Sequence, residues 1–323
     1  MKRIGIMLVQ FLVTAAGLWY VFHDPQKRAQ IADALRHASL SWVLLGWICY
    51  GAVEVLATVR WQVLLRIQGI SFTWLRVFAI VMIGLFFNMF LPGLIGGDVM
   101  RLYFVFKLAP RRKTRATLSV AMDRLFGLLA IAFLAGVTLA LRFRWFESAG
   151  PALHVAYLTL SLLGGGIACV IFLFLTVSFG LLHKLPKRLP FRNAIIQSGE
   201  ALKLYRSHSL AMIGAFIITI GSHVAYYVSY YCAARSLRAA APQIPSMSDM
   251  LSIMPLVNTI TALPISFGGV GVRETLFQEL LSNLAHLPPA IGALAASLGF
   301  AIQATWGLVG AAIYLLWRNR PTA

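Results

Sequence analysis

Acidic residues are scarce in this sequence. Ten Asp and Glu stand against 28 Lys and Arg, and charged residues fill only 12% of 323 positions. A soluble domain carries about 25% charged residues, so half of the polar surface it needs is missing. No polar segment is long enough for a separate soluble domain, which excludes a cytosolic enzyme held by a membrane anchor. Cysteine is scarce as well. Cys49, Cys169 and Cys232 lie inside apolar stretches without CxxC spacing, so neither a disulfide framework nor a zinc site is indicated. HExxH, GxSxG and P-loop patterns are absent, which removes metalloprotease, serine hydrolase and NTPase chemistry. What remains is a multi-span membrane protein.

Hydrophobic residues make up 59% of the chain. Six segments, roughly 4–22, 41–65, 117–141, 153–180, 208–234 and 290–317, are apolar enough and near the length of about 20 residues that a bilayer requires. The first follows Met1-Lys2-Arg3 but is longer than the 7–15 residues or so of a signal-peptide core, and it reads as a span. Two further apolar stretches, 73–106 and 248–284, are interrupted by Pro and Gly. Basic residues flank the first on both sides, so it should enter and leave on the cytoplasmic face as a re-entrant hairpin. Counting onward puts the basic loop 181–207 inside, the second hairpin outside and both termini in the cytoplasm. On this topology 17 basic residues are cytoplasmic, seven are external, and Arg60, Arg101, Arg124 and Arg273 lie within apolar segments. Arg142 and Arg144 run against the bias. The net charge of +18 therefore serves orientation beside an anionic leaflet, and no nucleic-acid partner is expected. Residues 25–38 and 192–206 read as interfacial amphipathic helices.

The two interrupted stretches share a pattern. Leu91-Pro92-Gly93-Leu94-Ile95-Gly96-Gly97-Asp98-Val99-Met100-Arg101 and Leu263-Pro264-Ile265-Ser266-Phe267-Gly268-Gly269-Val270-Gly271-Val272-Arg273 both fit LPxxxGGxxxR without a gap. Asn88 precedes the first and Asn258 the second. Each hairpin follows two spans and precedes a third, and the two enter from opposite faces. The expected fold is thus all-α, six transmembrane helices plus two re-entrant hairpins in an inverted-topology repeat. It forms a single membrane domain over 1–323, with repeats of about 1–145 and 150–323. Secondary transporters are built this way, with the site where broken helices meet.

Charges within apolar segments mark the candidate site, because each costs roughly 3 kcal/mol or more at the bilayer centre. Arg101, Arg124 and Arg273 could grip a phosphate with bidentate donors, assisted by Asn88 and Asn258 and by helix N-termini after the double glycines Gly96-Gly97 and Gly268-Gly269. Asp98, Asp123, Glu274 and Glu54 could take protons or meet a cationic head group. Asp98 reads equally as a helix N-cap. Asp123-Arg124 either pairs with hairpin charges or forms a structural salt bridge. Arg60 is expected to snorkel to the cytoplasmic interface, whereas the deeper Glu54 needs a partner or a proton. Mid-span His223 is expected to make an interhelical hydrogen bond.

Three runs together resemble a known family. They are Asn88-x-x-Leu91-Pro92-Gly93-x-x-Gly96-Gly97-Asp98-x-x-Arg101, then Ser119-x-x-x-Asp123-Arg124-x-x-Gly127-Leu128, and Leu263-Pro264-x-Ser266-x-Gly268-Gly269-x-Gly271-x-Arg273-Glu274. The family is the lysylphosphatidylglycerol synthase transmembrane, or flippase-like, family of bacterial inner-membrane proteins. Its fused members add a soluble aminoacyl-transferase domain, which has no counterpart here up to Ala323. The resemblance implies the lipid-translocating part alone, not lysyl transfer.

The expected function is movement of a phospholipid or polyprenyl-phosphate type lipid across the inner membrane by alternating access, without a cofactor or metal. A lipid-synthesis enzyme is a possible partner, and a non-transporting scaffold for such an enzyme is the alternative. An intramembrane protease is disfavoured, since Ile95 stands where a GxGD pattern needs its first glycine.

Overall fold

Apolar sequence can satisfy its backbone inside a bilayer only as helix or closed barrel. In the computed structural model, which describes residues 11–20, 23–90, 96–148, 150–178, 203–241, 243–263 and 265–318, every regular element is helical. Helix α1 (Phe11–Tyr20) is followed by α2 (Pro25–Arg36), where Asp24 caps the start by accepting from the Gln26 N–H and Pro25 occupies the first turn. Helix α3 (Leu40–Ile67) runs 28 residues, about 42 Å, without a break. The first interrupted stretch forms α4 (Trp74–Phe90) and α5 (Gly96–Leu108). After a 3-10 turn come α6 (Lys113–Leu141), the short α7 (Phe143–Glu147) and α8 (Gly150–Ser178). The second half continues with α9 (Ser209–Ser236) and the second interrupted stretch, α10 (Met247–Thr261) and α11 (Val272–Ala285). It ends with α12 (Pro289–Arg318).

Four helices are long and apolar enough to cross a membrane: Leu40–Ile67, Pro110–Leu141, Ser209–Ser236 and Pro289–Trp317. Phe11–Tyr20, Trp74–Met89 and Ala152–Ala168 are shorter apolar helices. The outer ends of the predicted span 4–22 and the last residues of 153–180 lie outside the described residues, as do the Leu91–Ile95 part of the first motif, Pro264 of the second, and most of 181–207.

Packing follows a crossed pattern. Helices α3 and α9 lie together along their lengths, α4 packs against α12, and α10 packs against α6. Each interrupted stretch has its own apolar core. Trp61, Leu64, Leu65, Ile80, Val81, Phe104 and Val105 surround the first, while Tyr227, Met250, Ile253, Phe277 and Leu281 surround the second. Tyr50, Ala233 and Ile302 join α3, α9 and α12 between them. Cys232 is buried on α9, a small packing residue as expected. The predicted interfacial helix 25–38 is α2, which packs on α12, and its Lys27 Nζ donates to Gln278 Oε1 at 3.4 Å. Of the stretch 192–206 only its end is described; there Tyr205 is buried and donates from its hydroxyl to the Leu64 carbonyl at 3.3 Å.

Candidate functional site

An ionic assembly joins α5, which follows the first break, to α3 and α6. Asp123, on α6, is 4% exposed and accepts from two arginines through separate oxygens: Arg60 Nε at 2.6 Å and Arg101 Nη1 at 3.0 Å. One carboxylate so ties α3, α5 and α6 together. Arg60 therefore does not snorkel. It turns inward because a buried carboxylate within reach binds a guanidinium more strongly than the interface can. The Arg101 guanidinium lies 5.1 Å from the Trp61 ring centre, and the indole N–H of Trp61 donates to Ser119 Oγ at 3.3 Å. A turn away, Asp98 receives Arg124 bidentately, Nε at 2.6 Å and Nη2 at 2.8 Å, and this pair is the more open one. The side chain of Asp98, read from sequence as either a cap or a functional acid, is engaged by Arg124 in the first turn of α5.

Asn88 Oδ1 accepts from the Gly97 N–H at 2.8 Å and takes the capping role. A Cβ on Gly97 would collide with the Gly84 carbonyl and the Asn88 side chain, so this glycine permits α5 to fold back on α4. Gly96 and Gly97 lie inside the helix rather than in the break. Replacing Asn88 with alanine orphans the Gly97 N–H and is expected to lower stability by about 1 kcal/mol, read as a fall in melting temperature in detergent.

The second break is built from left-handed backbone. Gly268, Gly269 and Gly271 have φ of 56°, 78° and 84°, values that side-chain-bearing residues avoid. The turn lets Arg273 fold back, so that Nη2 donates to the Gly268 carbonyl at 3.0 Å. Its Nη1 is buried with no hydrogen-bond partner among the described residues. The guanidinium lies 5.0 Å from the ring centre of Phe300 and 6.0 Å from that of Tyr230. Glu274, proposed from sequence as an ion or head-group ligand, is occupied otherwise. Its Oε2 accepts from the Gly271 N–H at 2.7 Å and caps α11, and its Oε1 accepts from Ser297 Oγ at 3.4 Å. The chain's own carboxylate thus holds the anion position at this helix terminus. Asn258 lies on α10 beside Tyr227 of α9.

The second break meets the end of α4. The turn at 267–269 lies against the last residues of α4, where a Cβ on Gly268 would stand 4.0 Å from the Met89 carbonyl oxygen. Helix α1 rests on the same turn, since Cβ atoms on Gly17 or Gly271 would clash with each other's backbone. Midway along α3 lies Glu54, which is 6% exposed. Tyr50 lies one turn earlier on the same helix, and the charges of Arg101 and Arg60 act on it.

Sequence reasoning missed Arg60, Tyr50, Tyr230 and Trp61 as parts of this interior. An aromatic in an apolar run carries no signal of its own. Arg60, six residues from Glu54, carried one that the interface explanation absorbed. Arg142, an exception to the expected charge bias, pairs with Asp249 at 2.6 Å and stacks 3.8 Å from the Trp145 ring centre.

The sequence model described as the lysylphosphatidylglycerol synthase TM region matches residues 7–312. A UPF0104 membrane protein of Methanocaldococcus jannaschii is 28% identical over 124 residues, 38% of this chain. The matched segment spans about a third of that relative's length, 35%.

Proposed function

Since the chain belongs to the lysylphosphatidylglycerol synthase transmembrane-region family, we propose that it moves a phosphate-bearing lipid, of phospholipid or polyprenyl-phosphate type, across a bacterial inner membrane. In this reading six spans and the two interrupted stretches form an inverted repeat with both termini cytoplasmic. The crossed packing supports it: α4 on α12 and α10 on α6 exchange roles under a two-fold operation that also pairs α3 with α9. The two repeats rock against each other while the acyl chains stay in lipid. The lipid leaves chemically unchanged, so the protein acts as a transporter and not as an enzyme.

One observation carries the reading. The second interruption lies against the end of α4 inside the protein, and its arginine presents a buried Nη1 without a partner among the described residues. Non-helical backbone at membrane depth is tolerated where it is buried or lines a cavity, and an unpaired buried donor suits an anionic oxygen. Arg101 and Arg124 already hold carboxylates, so they would reach a head group by exchanging those partners as the hairpin moves.

Single replacements Arg101→Ala and Arg273→Ala test this in proteoliposomes carrying fluorescent phosphatidylglycerol, with bleaching of the outer leaflet as the readout. Loss of a hydrogen bond to a charged group, worth about 1.5–3 kcal/mol, predicts a ten- to hundredfold or so slower exchange. Undiminished exchange in both folded variants would overturn the site. A scaffold for a synthesis enzyme predicts that outcome.

A further inference from the structure

Among the described residues, the buried charges beside the two interruptions come in equal numbers. Arg60, Arg101 and Arg273 are the cations, Glu54, Asp123 and Glu274 the anions, and none is more than 12% exposed. Two of the acids are fully engaged: Asp123 by Arg60 and Arg101, Glu274 by the Gly271 N–H and Ser297. Glu54 differs. Among the described residues no cation comes within ion-pairing distance of it and no backbone N–H caps it.

Its surroundings are specific. On α3 itself Tyr50 and Arg60 flank it, and α5 brings Arg101. Of the other helices packed on α3, α6 carries Asp123 and Arg124, and α9 carries His223, Tyr226 and Tyr230. Helices α4 and α12 carry Arg76, Tyr314 and Arg318, all near their ends. Tyr50 in turn feels Tyr226, Tyr230 and Arg273. The ring centres of Tyr50 and Tyr226 lie 6.1 Å apart, those of Tyr226 and Tyr230 5.1 Å, and the Arg273 guanidinium lies 6.0 Å from the Tyr230 ring, so a file of tyrosines leads from the Glu54 turn to Arg273 across the seam between α3 and α9.

With Glu54 ionised, the six charges cancel. A phosphodiester received at Arg273 adds one more negative charge to an interior of low dielectric, where an uncompensated charge costs several kcal/mol. The other acids are locked in ion pairs or caps, so the charge that can be withdrawn is that of Glu54. We propose that Glu54 is a proton-binding site and that an anionic head group and one proton enter the protein together. The step is simple: the Glu54 carboxylate takes a proton from solvent on lipid entry and returns it on lipid release. Lipid and proton then cross as a neutral pair, so a proton gradient drives the movement and the membrane potential does not.

This rests on the lipid-translocation reading, and the test separates the two. The purified full chain in detergent is titrated with dihexanoyl phosphatidylglycerol by calorimetry, in buffers of differing ionisation enthalpy, over a series from acid to neutral pH. Wild type should take up about one proton per lipid bound within that series, by linkage between lipid and proton binding. Glu54→Gln, an isosteric stand-in for the protonated acid, should bind the lipid with no uptake, and Glu54→Asp should restore it. Thermal unfolding checks that each variant is folded. Binding without uptake in wild type, or uptake that persists in Glu54→Gln, overturns the proton site and leaves the lipid reading intact. Failure of wild type to bind phosphatidylglycerol or any other phosphate-bearing lipid overturns the lipid reading and this inference with it.

Discussion

Asp123→Ala is expected to destabilise the protein by about 3–5 kcal/mol, the cost of removing one partner from a buried ionic group. The reason lies in the geometry of the first break. One carboxylate holds Arg60 at 2.6 Å and Arg101 at 3.0 Å, so its loss leaves two buried guanidiniums facing each other without an anion. Removing Arg60 alone leaves Asp123 its bond to Arg101 and should cost less. The check is thermal or denaturant unfolding in detergent, with Asp123→Ala compared against Asp123→Ala combined with Arg60→Leu. If the ionic explanation holds, the second change recovers part of the loss, because one orphaned charge has gone. Additive damage in the double variant would place the effect in packing instead.

Gly271→Ala is expected to cost about 3 kcal/mol, through two independent penalties. Its φ of 84° is a conformation that costs a side-chain-bearing residue about 1–3 kcal/mol. The new Cβ would also stand 2.9 Å from the Thr14 carbonyl and 3.3 Å from Gly17 Cα, so α1 must move away. Gly136→Ala is the matched control. It lies inside α6 with nothing within 4 Å of the added Cβ, and helix propensity favours alanine there by about 1 kcal/mol. The same unfolding assay should show the first variant well below wild type and the second at or above it. Because α1 rests on the second break, Gly271→Ala should also expose α1 to proteolysis more than Gly136→Ala does.

Much of the architecture was legible because the bilayer permits few solutions. The interrupted stretches read at 73–106 and 248–284 correspond to α4 with α5 and to α10 with α11, although Pro255 and glycines such as Gly46 and Gly136 stay inside helices, so Pro and Gly alone do not fix where a helix stops. The site was legible in part. Asp123 and Arg124 do meet the hairpin charges, because a charge inside an apolar segment must find a partner. Which partner each finds was not legible. Arg60 was expected at the interface and is bound to Asp123, while Glu274 was expected to face a ligand and caps α11 instead. The two double glycines looked equivalent, yet Gly97 allows a close helix approach and Gly268-Gly269 form a left-handed turn.

The sequence alone determined that the chain is a helical membrane protein with two interrupted stretches and a set of interior charges. Composition and the span of a bilayer suffice for that, since both act residue by residue along the chain. Only the tertiary structure decided which charges cancel and which stay open. Ion pairs form between helices at distances of about 3 Å, and their strength depends on three-dimensional position and burial, which linear spacing does not encode. That is why Asp98, Asp123 and Glu274 emerge as engaged groups, while among the described residues Arg273 Nη1 keeps no hydrogen-bond partner and Glu54 no ion pair.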